Sequence, residues 1–430
     1  MPRGAMPTET VFGMETPPIK LGPGVSAEVG EDLHRLGVSS ALLVTDPTIA
    51  RLGLADRVRA AAEAEGVQVE TFDGVAVEPT DESFEAAIRF ARDRIFDGLV
   101  AVGGGSVMDT AKAMNLYARY PADLYEYINA PIGRATAVPG PLRPLIAIPT
   151  TSGTGSETTA VAVLDILELK TKTGIAHRFL RPTLALVDPL LTLSCPPQVT
   201  AATGMDALFH ALESYTSRRY DARPAWPSAA QRPIYMGGNP LSDLWCEKAI
   251  ELVGRSLRRA VANGYDLEAR TEMAMAATFA SVGFGNSGVH IPHTLAYPIA
   301  GRVKQFVPEG YAVSTPMVPH GTSVSVTAPA AFEYTYPAFP ARHLRAAALL
   351  GAQVEGVSEL EGRGLLPAAL VALMRDIGIP NGLRALGYDE RDVPDLVEGG
   401  MKQQRMHGGC PRPLNPEVLG DVLRRSLSHW

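Results

Sequence analysis

Gly98-Leu99-Val100-Ala101-Val102, running directly into Gly103-Gly104-Gly105-Ser106-Val107-Met108-Asp109-Thr110-Ala111-Lys112, decides the fold. A short, unbroken apolar run suits a strand buried on both faces, as in a parallel sheet. The three glycines then remove every Cβ from a turn, and a helical pattern follows. Backbone N–H groups in such a turn can close on an anion, and the helix N-terminus adds partial positive charge. A pyrophosphate is the expected guest. The pattern is not GxGxxG, and a glycine triplet also serves as a tight turn.

Outward from this unit the rhythm repeats. Strands are predicted at 40–45, 67–72 and 144–149, with further candidates at 159–164 and 183–187. Helices are predicted at 24–36, 48–65 and 81–94. This β-α-β-α-β order predicts an open parallel sheet with helices on both faces, an N-terminal α/β dinucleotide-binding domain over residues 1–196. The strand at 144–149 runs into Thr150-Thr151-Ser152-Gly153, a second source of hydroxyls and free amides at the same sheet edge. Asp46 closes the first strand. A carboxylate there accepts hydrogen bonds from an adenosine ribose and repels a 2′-phosphate, favouring NAD over NADP; Asp46-Pro47 also suits the start of a turn. Near Pro196 the texture changes to Ala- and Leu-rich helical periods at 200–216, 241–262, 266–284, 340–351, 364–377 and 416–428, predicting a mainly helical C-terminal domain over 197–430. The Pro- and Arg-bearing stretch 216–243 forbids a simple helix and reads equally as a lid or a surface wrap.

Inside the helical part, Asp206 and His210 are four apart in GMDALFHALESY, so both leave one helix face and form half of a chelate. His293 and His320, from two other segments, can complete one oxygen and up to three nitrogen ligands. That set suits Fe(II) or Zn(II) and needs no thiolate. His290 lies three residues before His293 and would face the same cleft if the stretch is helical; a core histidine is the other reading.

The chain has 430 residues, a net charge of -7 and 46% hydrophobic residues. That balance offers no electrostatic footprint for nucleic acid or anionic membrane, and no apolar run is long enough to span a bilayer. Cys195, Cys246 and Cys410 lie far apart with no CxxC spacing, which suits reduced thiols. Residues 1–20 lack an apolar signal core and carry acids and prolines unlike a transit peptide. A cytoplasmic location is the resulting expectation.

GGGSVMDTAK (103–112), PTTSGTGSE (149–157), GMDALFHALESY (204–215), His293 and VPHG (318–321) together resemble the iron-containing (group III) alcohol dehydrogenases. NAPIG (129–133), GTGSETT (153–159), VGFGNSGVH (282–290) and FPARHL (339–344) are similar to the hydroxyacid-oxoacid transhydrogenase branch of that family. The resemblance implies a metal in a cleft between the two domains, held by Asp206, His210, His293 and His320. It implies NAD on Gly103, Gly104, Gly105, Ser106 and Val107, with Thr150 and Thr151 as a second loop, Asp46 at the adenosine side and Lys172 beside the nicotinamide ribose. It implies Fe(II) before Zn(II), and a homodimer or larger homo-oligomer. Many relatives carry a proton-relay histidine where this chain has Tyr297, so Tyr297 or His290 is the expected substitute. Glu78 replaces a frequent asparagine and is expected near the adenosine.

The chemistry so implied is hydride transfer from a short hydroxyacid such as 4-hydroxybutyrate, through tightly bound NAD, to a 2-oxoacid such as 2-oxoglutarate. A plain NAD-linked alcohol dehydrogenase that releases NADH is the alternative, and a lyase like dehydroquinate synthase a distant third. Carboxylate-bearing substrates need a cation near the metal, for which Arg178, Arg302 and Lys304 are candidates.

Overall fold

The computed structural model describes residues 8–430. Six strands form one parallel sheet, in the order β1 (Ile19–Leu21), β8 (Leu184–Val187), β5 (Leu145–Pro149), β4 (Gly98–Gly103), β2 (Ser40–Val44) and β3 (Gln68–Phe72). The remaining two, β6 (Val161–Ile166) and β7 (Thr171–Ala176), pair as an antiparallel hairpin. Helices α1 (Val29–Arg35), α2 (Pro47–Arg51), α3 (Leu54–Ala64), α4 (Asp81–Arg92) and α5 (Gly105–Arg119) are interleaved with the strands.

Alternate strand residues explain the layers. Val100, Val102, Ile146 and Ile148 point to one face, where Leu33 of α1 and Val58 of α3 cover them. Leu99, Ala101, Leu145 and Ala147 point to the other, under Ala87 of α4 and Met108 of α5. Both faces are dry, which is why these strands read as continuous apolar runs.

Two differences from the sequence reading have simple causes. The helix expected over 48–65 is broken at Gly53, whose φ of 70° only glycine adopts readily. β1 is three residues long and pairs with β8, far along the chain, so no local pattern announces it.

The last strand of the sheet ends at Val187, and the first long helix, α6 (Pro197–Tyr215), follows. α7 (Pro240–Ala262) and α8 (Leu267–Ser287) pack on it around Leu208, Leu212, Ile250 and Met273. α9 (Ile291–Gly301) and α10 (His320–Ser325) come next, and further helices run to Arg425. Sequence patterning missed α9, because Pro292 sits in its first turn and Pro298 inside it. Stretch 216–243 contains two short 3-10 turns and a bridge from Pro224 to Thr8. Among the described residues no helix is long and apolar enough to cross a membrane.

Candidate metal and cofactor site

The carboxyl edge of the sheet assembles the first half of the site. Gly103 and Pro149 are register partners on β4 and β5, so the loops after these strands leave side by side, joined by Thr150 N–H donating to Gly103 O at 3.0 Å. A Cβ on Gly103 would stand 2.4 Å from Val107, and one on Gly105 2.7 Å from Thr154. The turn has no left-handed glycine; close approach alone demands their missing side chains. Gly104, by contrast, has ordinary room, its hypothetical Cβ lying 3.5 Å from Thr151. Ser106 Oγ accepts from Glu78 N–H at 3.2 Å. Thr150 Oγ1 and Ser152 Oγ are buried without a hydrogen-bond partner, as donors and acceptors awaiting a polar guest are. Asp46, at the end of β2, caps α2: Oδ1 accepts from Thr48 N–H at 2.8 Å and Ile49 N–H at 3.0 Å. Both bonds use one oxygen, and the other is left for a ligand.

The second half comes from three helices. α6 carries Asp206 and His210, α9 carries His293, and α10 begins with His320. Around Asp206 Oδ1 stand His293 Nε2 at 3.4 Å, His320 Nε2 at 3.7 Å and His210 Nε2 at 3.9 Å. The donor atoms of Asp206, His293 and His320 all lie within 4.8 Å of one another; His210 sits beside that trio, outside the limit. Gly321 brings α10 to α6, since any Cβ there would fall 1.9 Å from Ala202 O.

Glu213, two turns along α6 from Asp206, fixes the histidine that matters most. Its Oε1 is 2.5 Å from His293 Nδ1, and its Oε2 accepts from His290 N–H at 2.6 Å. With Nδ1 protonated toward Glu213, a neutral His293 turns its Nε2 lone pair on Asp206 Oδ1. Two lone pairs facing in a dry site require a cation between them. Burial opposes a charge on His293, but Glu213 and Asp206 outweigh it and raise its pKa to about 10. Burial likewise opposes ionisation of Asp206, yet the surrounding imidazoles hold its carboxyl well below the usual range. His210 is pushed down to about 3, by burial first and by His293 and His320 next, so it is a neutral donor. Phe284 stacks on its ring at 3.8 Å and fixes the plane. Asp206 Oδ1 and His293 Nε2 are both buried with no hydrogen-bond partner. A buried carboxylate oxygen and imidazole nitrogen left unpaired, with His320 Nε2 and His210 Nε2 beside them, are the donor set a divalent cation takes.

One cavity, about 140 Å³, joins the halves: Gly105 and Ser106 line it together with Asp206, His210, His293 and His320. Tyr297 lines it too, and burial pushes its phenol up. Lys172 reaches it from β7, where Nζ lies 2.5 Å from Glu78 Oε2 and 2.6 Å from Asp165 Oδ2. Burial opposes its charge, and the two carboxylates outweigh burial and raise its pKa.

Four expectations need correction. His290 is not brought to the cavity: it is fully buried, its Nδ1 caps α9 through Ile291 N–H at 2.8 Å, and its Nε2 meets Thr216 Oγ1 at 3.0 Å. Both ring nitrogens are occupied by structural bonds, which leaves none for a proton relay. Glu78, expected near the adenosine, instead lines the cavity that holds the histidines, with φ at 54° and its carboxylate on Lys172. Arg178 pairs with Glu15, Lys304 pairs with Asp392 at 2.7 Å, and neither they nor Arg302 line the cavity. The fourth, on location, follows from the comparisons. Glu213, Phe284, Tyr235 and Arg405 escaped the sequence reading. Only Glu213 had a signal, being three residues after His210 on the same helix face.

Residues 17–189 match the family model described as iron-containing alcohol dehydrogenase, and residues 233–427 match that of the Fe-containing alcohol dehydrogenase family C-terminal region. A rat protein named hydroxyacid-oxoacid transhydrogenase, mitochondrial, is 47% identical over 98% of this chain and 90% of its own length. Among solved structures, a 1,3-propanediol oxidoreductase superposes with a TM-score of 0.85 at 33% identity, covering 97% of this chain and 100% of that one. Sulfoacetaldehyde reductase from Bifidobacterium kashiwanohense in complex with NAD+ gives 0.79 at 26% identity, covering 97% and 99%. The rat and mouse relatives are both named as mitochondrial, which overturns the cytoplasmic expectation. Acids and prolines near residue 15 argued only against one kind of targeting segment, and that is too little to assign a compartment. Similarity over both halves at this identity settles the lineage: the chain belongs to the iron-containing alcohol dehydrogenase family and is an oxidoreductase.

Proposed function

We propose that this protein is a hydroxyacid-oxoacid transhydrogenase, moving hydride from a short hydroxyacid of the 4-hydroxybutyrate type, through retained NAD, to a 2-oxoacid such as 2-oxoglutarate. The observation carrying this is near-full-length similarity to proteins of that name, in a chain whose glycine turn and histidine cluster line one cavity. Asp206, His210, His293 and His320 would hold the divalent metal, Fe(II) before Zn(II). Gly103 to Val107, Thr150, Thr151 and Asp46 would hold NAD, with Lys172 toward the nicotinamide ribose. The two cofactors supply Lewis acidity at the substrate oxygen and a hydride acceptor and donor.

The chain's own residues do the positioning. Glu213 fixes the tautomer and direction of His293, and Phe284 fixes the plane of His210. Val161, Val163, Val289 and Met406 keep the cavity wall apolar and limit water. Lys172 is held rigidly on the cavity wall by two carboxylates that neutralise its charge. Tyr297, with its pKa raised by burial, keeps its proton and is a hydrogen-bond donor. A full cycle suits this, since the proton released on oxidising the hydroxyacid equals the one taken up on reducing the oxoacid. The division at 196/197 would place the cavity between two domains, and the resemblance favours a homodimer or larger assembly.

The test is to incubate purified protein with 4-hydroxybutyrate and 2-oxoglutarate, with no NAD added. Sustained formation of 2-hydroxyglutarate is expected. Turnover that requires added NAD and accumulates free NADH would replace this reading with a plain alcohol dehydrogenase.

A further inference from the structure

We propose that Arg405 receives the substrate's carboxylate, at the seam where the reaction cavity meets a second, larger one. This deepens the transhydrogenase reading and rests on it, because only an acid substrate brings a charge to be met. A carboxylate approaching the apolar reaction cavity must be paired, or its desolvation opposes binding, and Arg405 is exposed to meet it on the way in. Lys172 is already neutralised by Glu78 and Asp165. Arg405 is the other cation on the cavity wall. Among the described residues no carboxylate lies within ion-pair distance of it, and its guanidinium carbon sits 5.3 Å from the centroid of Tyr235. That aromatic face preorganises the planar fork while leaving its N–H donors free for two carboxylate oxygens.

The second cavity, about 730 Å³, shares Arg405 and Tyr235 with the first. Arg178, Arg181, Arg223 and Arg232 also line it. Glu15 pairs with Arg178 and Arg181, and Glu9 lies 3.2 Å from Arg232. Among the described residues Arg223 has no acid; two of its nitrogens donate to the carbonyls of Tyr235 and Gly408, and its Nε is buried without a partner. Five arginines against two carboxylates leave a positive vestibule, which concentrates anions. Arg405, exposed and on the wall of both cavities, stands where the two meet.

The experiment compares wild type with Arg405→Gln and Arg405→Lys. It uses 4-hydroxybutyrate and 1,4-butanediol, which keeps chain and hydroxyl without the charge, and measures binding of unreactive glutarate by calorimetry. Arg405→Gln should lower kcat/KM for 4-hydroxybutyrate about 10- to 100-fold, chiefly through KM, and weaken glutarate by a similar factor. The diol should change by less than about threefold, and lysine should fall between. Equal losses on both substrates, or unchanged glutarate affinity, would overturn the assignment. If wild type itself ignores 4-hydroxybutyrate, the transhydrogenase reading fails instead. Glutarate affinity then judges Arg405 alone, since loss in the glutamine variant still marks a carboxylate site and equality removes it.

Discussion

The two halves of the cavity are built from different materials. The sheet edge uses backbone: consecutive glycines, a helix start and a neighbouring strand end, all within a few residues of one another in sequence or register. The metal half uses side chains alone, from three helices spanning more than a hundred residues. The first kind of site excludes atoms, since a Cβ added at Gly103 or Gly105 has no room. The second depends on atoms, since one lost nitrogen leaves buried charge behind. Substitutions should therefore fail differently in each half.

The largest effect belongs to the side-chain half. His293→Ala should remove bound metal and lower turnover by about 1,000-fold or more, while NAD titration follows the wild-type curve. Loss of NAD binding in that variant would mean that the halves are not separate. Glu213→Gln keeps shape but weakens the hold on His293 Nδ1, and metal affinity by competition with a chelator should drop about 10- to 100-fold. An unchanged affinity would reduce Glu213 to the partner of His290 N–H.

In the backbone half, Gly105→Ala sets a methyl 2.7 Å from Thr154 and should weaken NAD about tenfold, with metal content unaltered by elemental analysis. Gly104→Ala is the control, because its neighbours lie at ordinary contact distance. The smallest change is Asp46→Asn, which preserves the cap on α2 and removes only charge. Its preference for NAD over NADP should relax about three- to tenfold, read from the two dissociation constants; an identical ratio would leave Asp46 as a cap.

The same contrast governs what could be read without coordinates. The glycine turn and the strands beside it were legible because their physics is local: an apolar run, missing side chains, a helix period. The hairpin partner β7 was not, because Thr171–Ala176 has a polar pattern and is defined by pairing, with Lys172 directly opposite Asp165. Asp206 and His210 could be matched by helical spacing, whereas the approach of His293 and His320 to them depends on α9, whose prolines hide it, and on the tight seat of Gly321. Spacing alone left His290 open between the cleft and the core. A cap and a threonine hydrogen bond keep it out, and neither has a signature in the residues before it. Arg405 lies on a four-residue helix that no periodicity could announce.

Glu213 grips the imidazole of His293 with one oxygen and the backbone at the head of α9 with the other. Any swing of α9 away from α6 would therefore strip the imidazole from its companions before it widened the entrance. One carboxylate thus ties the aim of a metal-binding nitrogen to the seating of the helix that carries it, so the ring cannot turn away while α9 stays docked on α6.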